Sequence, residues 1–204
     1  MNLFFFTKTI GVECSLQIPR FKNDGTFDLN YKLFCADIVD NKWSIKESNC
    51  RYDNNFYYVT CDESNYDTVY FLAKFDEIRK FIKSNILNNY NDYTDTTPEF
   101  RASLILTNEK NGFSSYQSEY PYSMVNRKGS LITSASILSN YKAVRNIIFI
   151  KNIYYKPEKI KFPLYLVDLK LGTIIKHYNL LTNTTQAIDI DVDLNNNNLY
   201  FVSK

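Results

Sequence analysis

The chain has 204 residues, of which 45% are hydrophobic and 23% charged, and its formal net charge is +2. This balance excludes intrinsic disorder, which requires low hydrophobicity and high net charge. A near-neutral chain is also not a general nucleic-acid binder. The first apolar run, residues 3–6, is far shorter than the roughly 20 residues of a membrane-spanning helix. We therefore predict a cytoplasmic protein without a membrane span.

The composition favours residues with AT-rich codons, including 17 Tyr and 15 Phe. A low-GC genome explains an excess of Tyr, Phe, Asn, Lys and Ile without any functional role. Only a local concentration of aromatic residues therefore counts as a functional signal.

Strand patterns dominate residues 1–74. "NLFFFTKTI" and "KWSIKES" predict short strands, and "TFDLNYKLFCADI" alternates from Phe27 to Leu33 before its phase switches near Phe34. The switch predicts a β-bulge. "NFYYVTC" and "TVYFLA", separated by the polar "DESNYD", together predict a hairpin.

Residues 75–88 have the periodicity of an amphipathic helix. Phe75, Ile78, Ile82 and Ile86 recur at steps of three and four, so they share one helix face. Acidic residues open the segment and basic residues follow, which suits the helix dipole. We predict one main helix that packs this face onto a sheet.

A polar, aperiodic stretch, residues 88–98, follows the predicted helix and ends at Pro98. The charge balance changes there, since residues 1–98 carry 11 basic and 14 acidic side chains and residues 99–204 carry 13 and 8. We predict one β-rich domain over 1–204. The alternative is two lobes, 1–88 and 99–204, joined by this stretch.

The second half again favours strands. "FRASLILT", "NIIFIKNIYY", "FPLYLVDL" and "TIIKHYNL" predict strands, and residues 134–144 predict a second, short helix. The final "AIDIDVDL", "NNNN" and "LYFVS" predict a terminal hairpin. Asp189, Asp191 and Asp193 would face solvent there. A straight strand does not converge carboxylates on a cation, so we predict no metal site.

Several chemistries are excluded by missing residues. The phosphate-binding glycine motifs are absent, and His177 is the sole histidine, which we expect to be structural or exposed. The four cysteines contain no CxxC pair and are expected to be buried, reduced thiols. The lysines at 151, 156, 159, 161, 170 and 176 are expected to form a solvated surface rather than a phosphate-binding face. We predict no cofactor.

The segment "GFSSYQSEYPYSM", residues 112–124, concentrates aromatic and hydroxyl side chains around one carboxylate, Glu119. If residues 115–122 are extended, the tyrosines line one face and polar side chains the other. Tyrosine gives contact area at low entropic cost. The predicted binding residues are Arg101, Ser115, Tyr116, Gln117, Ser118, Glu119, Tyr120, Tyr122 and Arg127. The alternative is an ordered surface loop that its tyrosines pin to the sheet.

These patterns predict a mostly β, α+β fold with antiparallel or mixed sheets in a sandwich-like arrangement. The favoured function is a non-enzymatic binding or assembly module that recognises a partner protein or small polar ligand through residues 115–122. One alternative is an enzyme acting on a glycan or nucleotide-like substrate, with Glu119 as general acid or base. Another is a structural subunit of a larger complex.

Overall fold

The fold is mostly β, as predicted, and every strand ladder in the described part of the chain is antiparallel. The chain divides into two compact units: unit 1 comprises Met1–Asn126 and Tyr154–Glu158, and unit 2 comprises Arg127–Ile153 and Lys159–Lys204. The single-domain and two-lobe alternatives stay predictions. The computed structural model describes residues 2–8, 11–20, 30–79, 82, 86–88, 102–108, 112–117, 120–122, 125, 131–136, 138, 145–192 and 198–203. The predicted linker, 88–98, lies outside these residues apart from Asn88.

Unit 1 is built from two five-stranded sheets. Its described strands are β1 (Asn2–Phe5), β2 (Glu13–Pro19), β3 (Tyr31–Val39), β4 (Lys42–Glu47), β5 (Arg51–Tyr52), β6 (Phe56–Thr60), β7 (Val69–Lys74), β8 (Ser103–Asn108), β9 (Gly112–Gln117) and β10 (Tyr120–Pro121). Sheet I has the order β10-β1-β7-β3-β4, and sheet II has the order β5-β6-β2-β8-β9.

The two sheets of unit 1 share one core. Leu33 and Leu72 from sheet I pack in the same cluster as Leu16, Val59 and Leu104 from sheet II. Alternate residues of each strand point to the same face, so one apolar residue in two suffices to build such a layer. Burial of each of these large side chains contributes about 1.5–3 kcal/mol to folding. The result is a β-sandwich held by the facing sides of the two sheets.

Sheet I is also buried on its opposite face. Phe34 and Phe71 on this face stack at 6.1 Å between ring centroids, and both are fully buried. The Trp43 indole donates a hydrogen bond of 2.6 Å to the Tyr155 carbonyl, which also accepts from the Leu87 amide at 3.0 Å. Residues 154–158 are thereby tied to unit 1.

Burial on both faces explains the change of phase in strand β3. Four consecutive residues of this strand are buried: Leu33, Phe34, Cys35 and Ala36. Because both faces are covered, apolar and polar residues do not alternate there. The registers of β3 with β4 and β7 run without a shift. The predicted β-bulge near Phe34 is therefore wrong. Phe27 and Leu29 lie outside the described residues.

The predicted main amphipathic helix, 75–88, is not confirmed. Helix α1 spans Phe75–Ile78, with Asp76 and Glu77 in its first turn. Of the predicted face only Ile78 is buried, whereas Phe75, Ile82 and Ile86 are 39%, 36% and 48% exposed. Leu87 is buried instead, where its amide meets the Tyr155 carbonyl. Burial in this segment therefore does not follow the predicted helical spacing.

The predicted hairpin of residues 55–73 is wrong in its pairing. Its two strands exist, but β6 pairs with β2 and β5 in sheet II, whereas β7 pairs with β1 and β3 in sheet I. Between them lies a 3-10 turn, Glu63–Asn65, capped by the Asp62 side chain. The turn carries the chain from one sheet to the other. Polar turn residues indicate a reversal, but they do not specify which sheet the next strand joins.

Unit 2 contains the second set of strands. Those described are β11 (Leu131–Ser134), β12 (Asn146–Ile150), β13 (Lys161–Asp168), β14 (Thr173–Leu181), β15 (Gln186–Ile190) and β16 (Leu199–Ser203). Sheet III has the order β11-β16-β13-β14, and sheet IV pairs β12 with β15. Leu164, Leu166 and Phe201 of sheet III share a core with Ile188 and Ile190 of sheet IV.

The predicted terminal hairpin is also wrong in its pairing. Strand β15 pairs with β12 in sheet IV, and β16 pairs with β11 and β13 in sheet III. Asp189 and Asp191 are exposed, as predicted, but both form ion pairs: Arg145 contacts Asp189 at 2.6 Å, and Lys176 contacts Asp191. Asp193 lies outside the described residues, as does most of the second predicted helix, although Ser134 belongs to β11.

The β13–β14 hairpin has a strongly specified turn. The buried Asp168 carboxylate accepts hydrogen bonds from the Lys170 and Leu171 amides at 2.8 and 3.0 Å. Gly172 then adopts a φ of +66°, which a side chain disfavours. Beyond the turn, exposed His177 stacks on its cross-strand neighbour Tyr165.

Candidate functional site

The predicted binding segment, residues 115–122, belongs to both sheets of unit 1. Ser115, Tyr116 and Gln117 lie in strand β9, which pairs with β8 at the end of sheet II. Tyr120 lies in strand β10, which pairs with β1 at the end of sheet I. Tyr116 and Tyr120 are therefore in different sheets, and the segment does not form one continuous strand.

One described side chain of this segment is pinned. The Tyr122 hydroxyl donates a hydrogen bond of 2.7 Å to the Leu87 carbonyl, and the Tyr122 side chain is half-buried. Such a bond is typical of a tyrosine that fixes a surface segment to the body of the protein. Four of the predicted binding residues lie outside the described residues: Arg101, Ser118, Glu119 and Arg127. The predicted binding role of this segment stays a prediction.

A larger candidate site is a cleft in unit 1 with a volume of about 1070 Å³. Sheet I contributes Asp37 from β3 and Lys46 from β4, and sheet II contributes Gln17 and Tyr58. Strand β6 explains the position of the cleft, because Val59 points into the core while its neighbours Tyr58 and Thr60 point the other way. The short strand β5 pairs with Tyr57 and Tyr58 of β6. The cleft lies at the edge of sheet II, next to the part of β6 that follows these two residues.

The wall formed by sheet I carries an ion pair. Lys46 Nζ lies 3.9 Å from Asp37 Oδ2, and the Thr68 hydroxyl donates to Asp37 Oδ1. The Asp37 side chain is 31% exposed and the Lys46 side chain 68% exposed, so both reach solvent. At this exposure the pair contributes at most about 1 kcal/mol to stability. Both charges remain accessible to a bound molecule.

The opposite wall carries a network around Tyr58. The Tyr58 hydroxyl donates to Asp53 Oδ2 at 2.7 Å, and this hydrogen bond raises the Tyr58 pKa and lowers the Asp53 pKa. The Arg51 guanidinium lies 4.7 Å from the centre of the Tyr58 ring. This stacking holds a cation and an aromatic face at the cleft.

A second carboxylate, Asp62, sits where the chain leaves strand β6. It accepts a hydrogen bond of 2.8 Å from the Ser64 amide as the cap of the 3-10 turn. Hydrogen bonds from the Ser64 hydroxyl and amide lower the Asp62 pKa, so its carboxylate is ionised at neutral pH. The cleft thus presents two carboxylates, an ammonium and a guanidinium within one concave surface.

The thiols of the cleft are poor nucleophiles. Burial, followed by the charge of Asp37, raises the Cys35 pKa to about 11, and burial also raises the Cys50 pKa. Both groups are protonated at neutral pH, whereas thiol attack requires the thiolate. The other polar groups of the cleft can form hydrogen bonds and ion pairs. In the part of the chain that is described, no group of histidine, cysteine or acidic residues has the arrangement of a metal site.

Sequence reasoning missed this cleft. Asp37 gave one available signal, because it is a charged residue inside the apolar run "LFCADIV". Asp62 lies in the polar segment "DESNYD", where its side chain caps a turn. The other residues that line the cleft with Asp62 come from strands distant in sequence. The predicted hairpin paired β6 with β7 and therefore did not indicate that these residues lie close together.

No protein-family model, curated protein or solved structure matches this chain. Among the described residues, no helix has the length and apolar character needed to cross a membrane.

Proposed function

We propose that the protein is a non-enzymatic binding module that holds a small polar ligand in the cleft of unit 1. The observation that supports this proposal is the cleft itself, about 1070 Å³ in volume and lined by charges of both signs. Ligand sites of roughly 300–1,000 Å³ are common in proteins, and a few convergent polar groups give them specificity.

The lining residues suggest the chemistry of the ligand. Lys46 and Arg51 donate to anionic or carbonyl oxygens, while Asp37 and Asp62 accept from hydroxyl or amine groups. The Tyr58 ring, which also lines the cleft, offers a flat apolar surface. A ligand that carries both donors and acceptors, with a compact apolar face, fits this set.

The 115–122 segment is proposed as a second contact surface, for a partner protein. Strand β9 stands last in sheet II and pairs with β8, its one neighbour among the described strands. An end strand of this kind accepts an extended peptide through backbone hydrogen bonds. This contact would supply the assembly role, and it is independent of the cleft.

The cleft proposal is tested by ligand screening with matched lysine variants. Monosaccharides, amino acids and nucleotides are added singly to the full chain, and amide chemical-shift changes locate any that bind. Lys46→Ala should weaken binding at least tenfold, since it removes a cleft cation. Lys42→Ala is the control, because Lys42 is exposed on the same strand and does not line the cleft.

Shift changes that map away from the cleft would contradict the proposal, as would equal losses in the two lysine variants. A panel in which no compound perturbs any cleft amide would also count against it. A ligand at one hundred times its dissociation constant should stabilise the folded state by about 2.7 kcal/mol. Thermal unfolding therefore gives an independent measure of the same binding.

A further inference from the structure

The four cysteines of the chain are scattered in sequence, but two of them are cross-strand neighbours in sheet II. Strands β2 and β6 pair in antiparallel register, with Ser15 opposite Thr60. This register, continued by one step past the end of β6, places Cys14 opposite Cys61, and the Cys61 amide donates to the Cys14 carbonyl at 2.9 Å. Directly opposed residues project from the same face of a sheet.

This placement satisfies the requirements of a disulfide. Cα atoms of opposed residues in an antiparallel pair lie about 4.5–5.5 Å apart. Disulfides span Cα separations of about 4.4–6.8 Å. Neither cysteine is part of a disulfide in this structure. A bond between them requires little movement of the backbone.

Cys61 is the more exposed member of the pair, since Cys14 is buried. A second cavity, of about 500 Å³, is lined by both cysteines together with Glu13, Ser15 and Thr60. The Cys61 side chain is half-buried. The hydrogen bond from Cys61, supported by smaller contributions from Thr7, lowers the Cys14 pKa despite its burial. The Cys14 thiolate is therefore more available than that of Cys35, whose pKa is raised to about 11.

We propose that Cys14 and Cys61 form a reversible dithiol site that reacts with small disulfides of the glutathione class. The Cys14 thiolate attacks one sulfur of the disulfide, so that a mixed disulfide forms and one thiolate leaves. The Cys61 thiol loses its proton and attacks the Cys14 sulfur, and the second thiolate leaves. Two protein thiols are oxidised to one disulfide, and one small disulfide is reduced to two thiols, so atoms and electrons balance.

The test uses the folded full chain and oxidised glutathione. Trypsin cleaves after Lys and Arg, which places the four cysteines on separate peptides, residues 9–20, 33–42, 47–51 and 52–74. After incubation, remaining thiols are blocked with N-ethylmaleimide and the peptides are identified by mass spectrometry. We expect 9–20 to be linked to 52–74, with the loss of two hydrogen atoms, and reduced glutathione to restore both thiols.

Two variants test the order of the steps. Cys61→Ser should accumulate the mixed disulfide, with one glutathione on Cys14. Cys14→Ser should leave Cys61 free and react at least tenfold more slowly than the wild type. Cys35→Ser is the matched control, since it removes a buried thiol of the same core cluster and should leave the 14–61 linkage unchanged.

The proposal is overturned if both thiols of the wild type remain available to N-ethylmaleimide under oxidising glutathione. It is equally overturned if glutathione is found on Cys35 or Cys50 in place of Cys14. If a variant fails to fold, as judged by Trp43 fluorescence, the linkage and its reversal in the wild type still decide the question.

Discussion

The burial of Leu16 in the core of unit 1 predicts a large loss of stability when this side chain is shortened. This side chain is fully buried in β2, where Val59 of β6 flanks it on one side and Leu104 of β8 on the other. Leu16→Ala removes its apolar contacts and leaves a cavity, and such changes typically cost about 2–5 kcal/mol. Ladders on both sides of β2 restrain the backbone from collapsing into the space. We therefore expect a loss of about 3–4 kcal/mol, or more than a hundredfold in the unfolding equilibrium constant.

Urea unfolding followed by Trp43 fluorescence measures this loss, because the buried Trp43 belongs to unit 1 and is the single tryptophan of the chain. With a slope of roughly 2 kcal/mol per molar urea, the midpoint should fall by about 1.5–2 M. Val39→Ala is the control, since Val39 is 52% exposed and should change stability by no more than about 0.5 kcal/mol. A loss below about 1 kcal/mol for Leu16→Ala would refute the shared core between the two sheets.

Two further predictions concern unit 2. Gly172→Ala should destabilise the fold by about 1 kcal/mol, because the φ of +66° is strained for alanine. A steric clash does not contribute, since no atom lies within 4 Å of the added Cβ. Thermal unfolding by circular dichroism measures the loss, and an unchanged midpoint would contradict the prediction. The hydrogen bond from Lys176 lowers the pKa of Asp191 in the folded state. The pair therefore stabilises the fold fully at pH values above the pKa of an unfolded aspartate, about 3.9. This contribution is lost as the pH falls through the lowered pKa of the folded state. Asp191→Asn should therefore flatten the acid side of the stability profile, and an identical profile in the variant would show that the pair does not contribute.

Strands were largely predictable from the sequence, but their partners were not. The pattern "FPLYLVDL" corresponds to strand β13 and "KWSIKES" to β4, because local alternation and β-branched or aromatic residues determine strand formation. Both predicted hairpins failed because the connecting segments cross from one sheet to another. A polar turn looks the same in sequence in either case.

The candidate site was less predictable for a related reason. Asp37 and Gln17 line one cleft although they lie on strands of different sheets, so no local motif records their proximity. The segment with the strongest local signal, 115–122, instead passes between the sheets and is held at Tyr122 by a hydrogen bond to Leu87. The local concentration of aromatic residues identified a segment whose two strands belong to different sheets. The cleft instead forms where strands that are distant in sequence come together in the fold.

The hydrogen bond between Trp43 and Tyr155 has a consequence for the synthesis of the protein. The two residues are separated by 112 positions, and strands β11 and β12 of unit 2 lie between them in the chain. On the ribosome, the first unit therefore cannot be completed until residue 158 has emerged, after part of the second unit has already been made. A fragment ending at Asn126 would deprive the Trp43 indole of its acceptor. The last residues of unit 1, 154–158, are thus translated after residues 127–153 of unit 2.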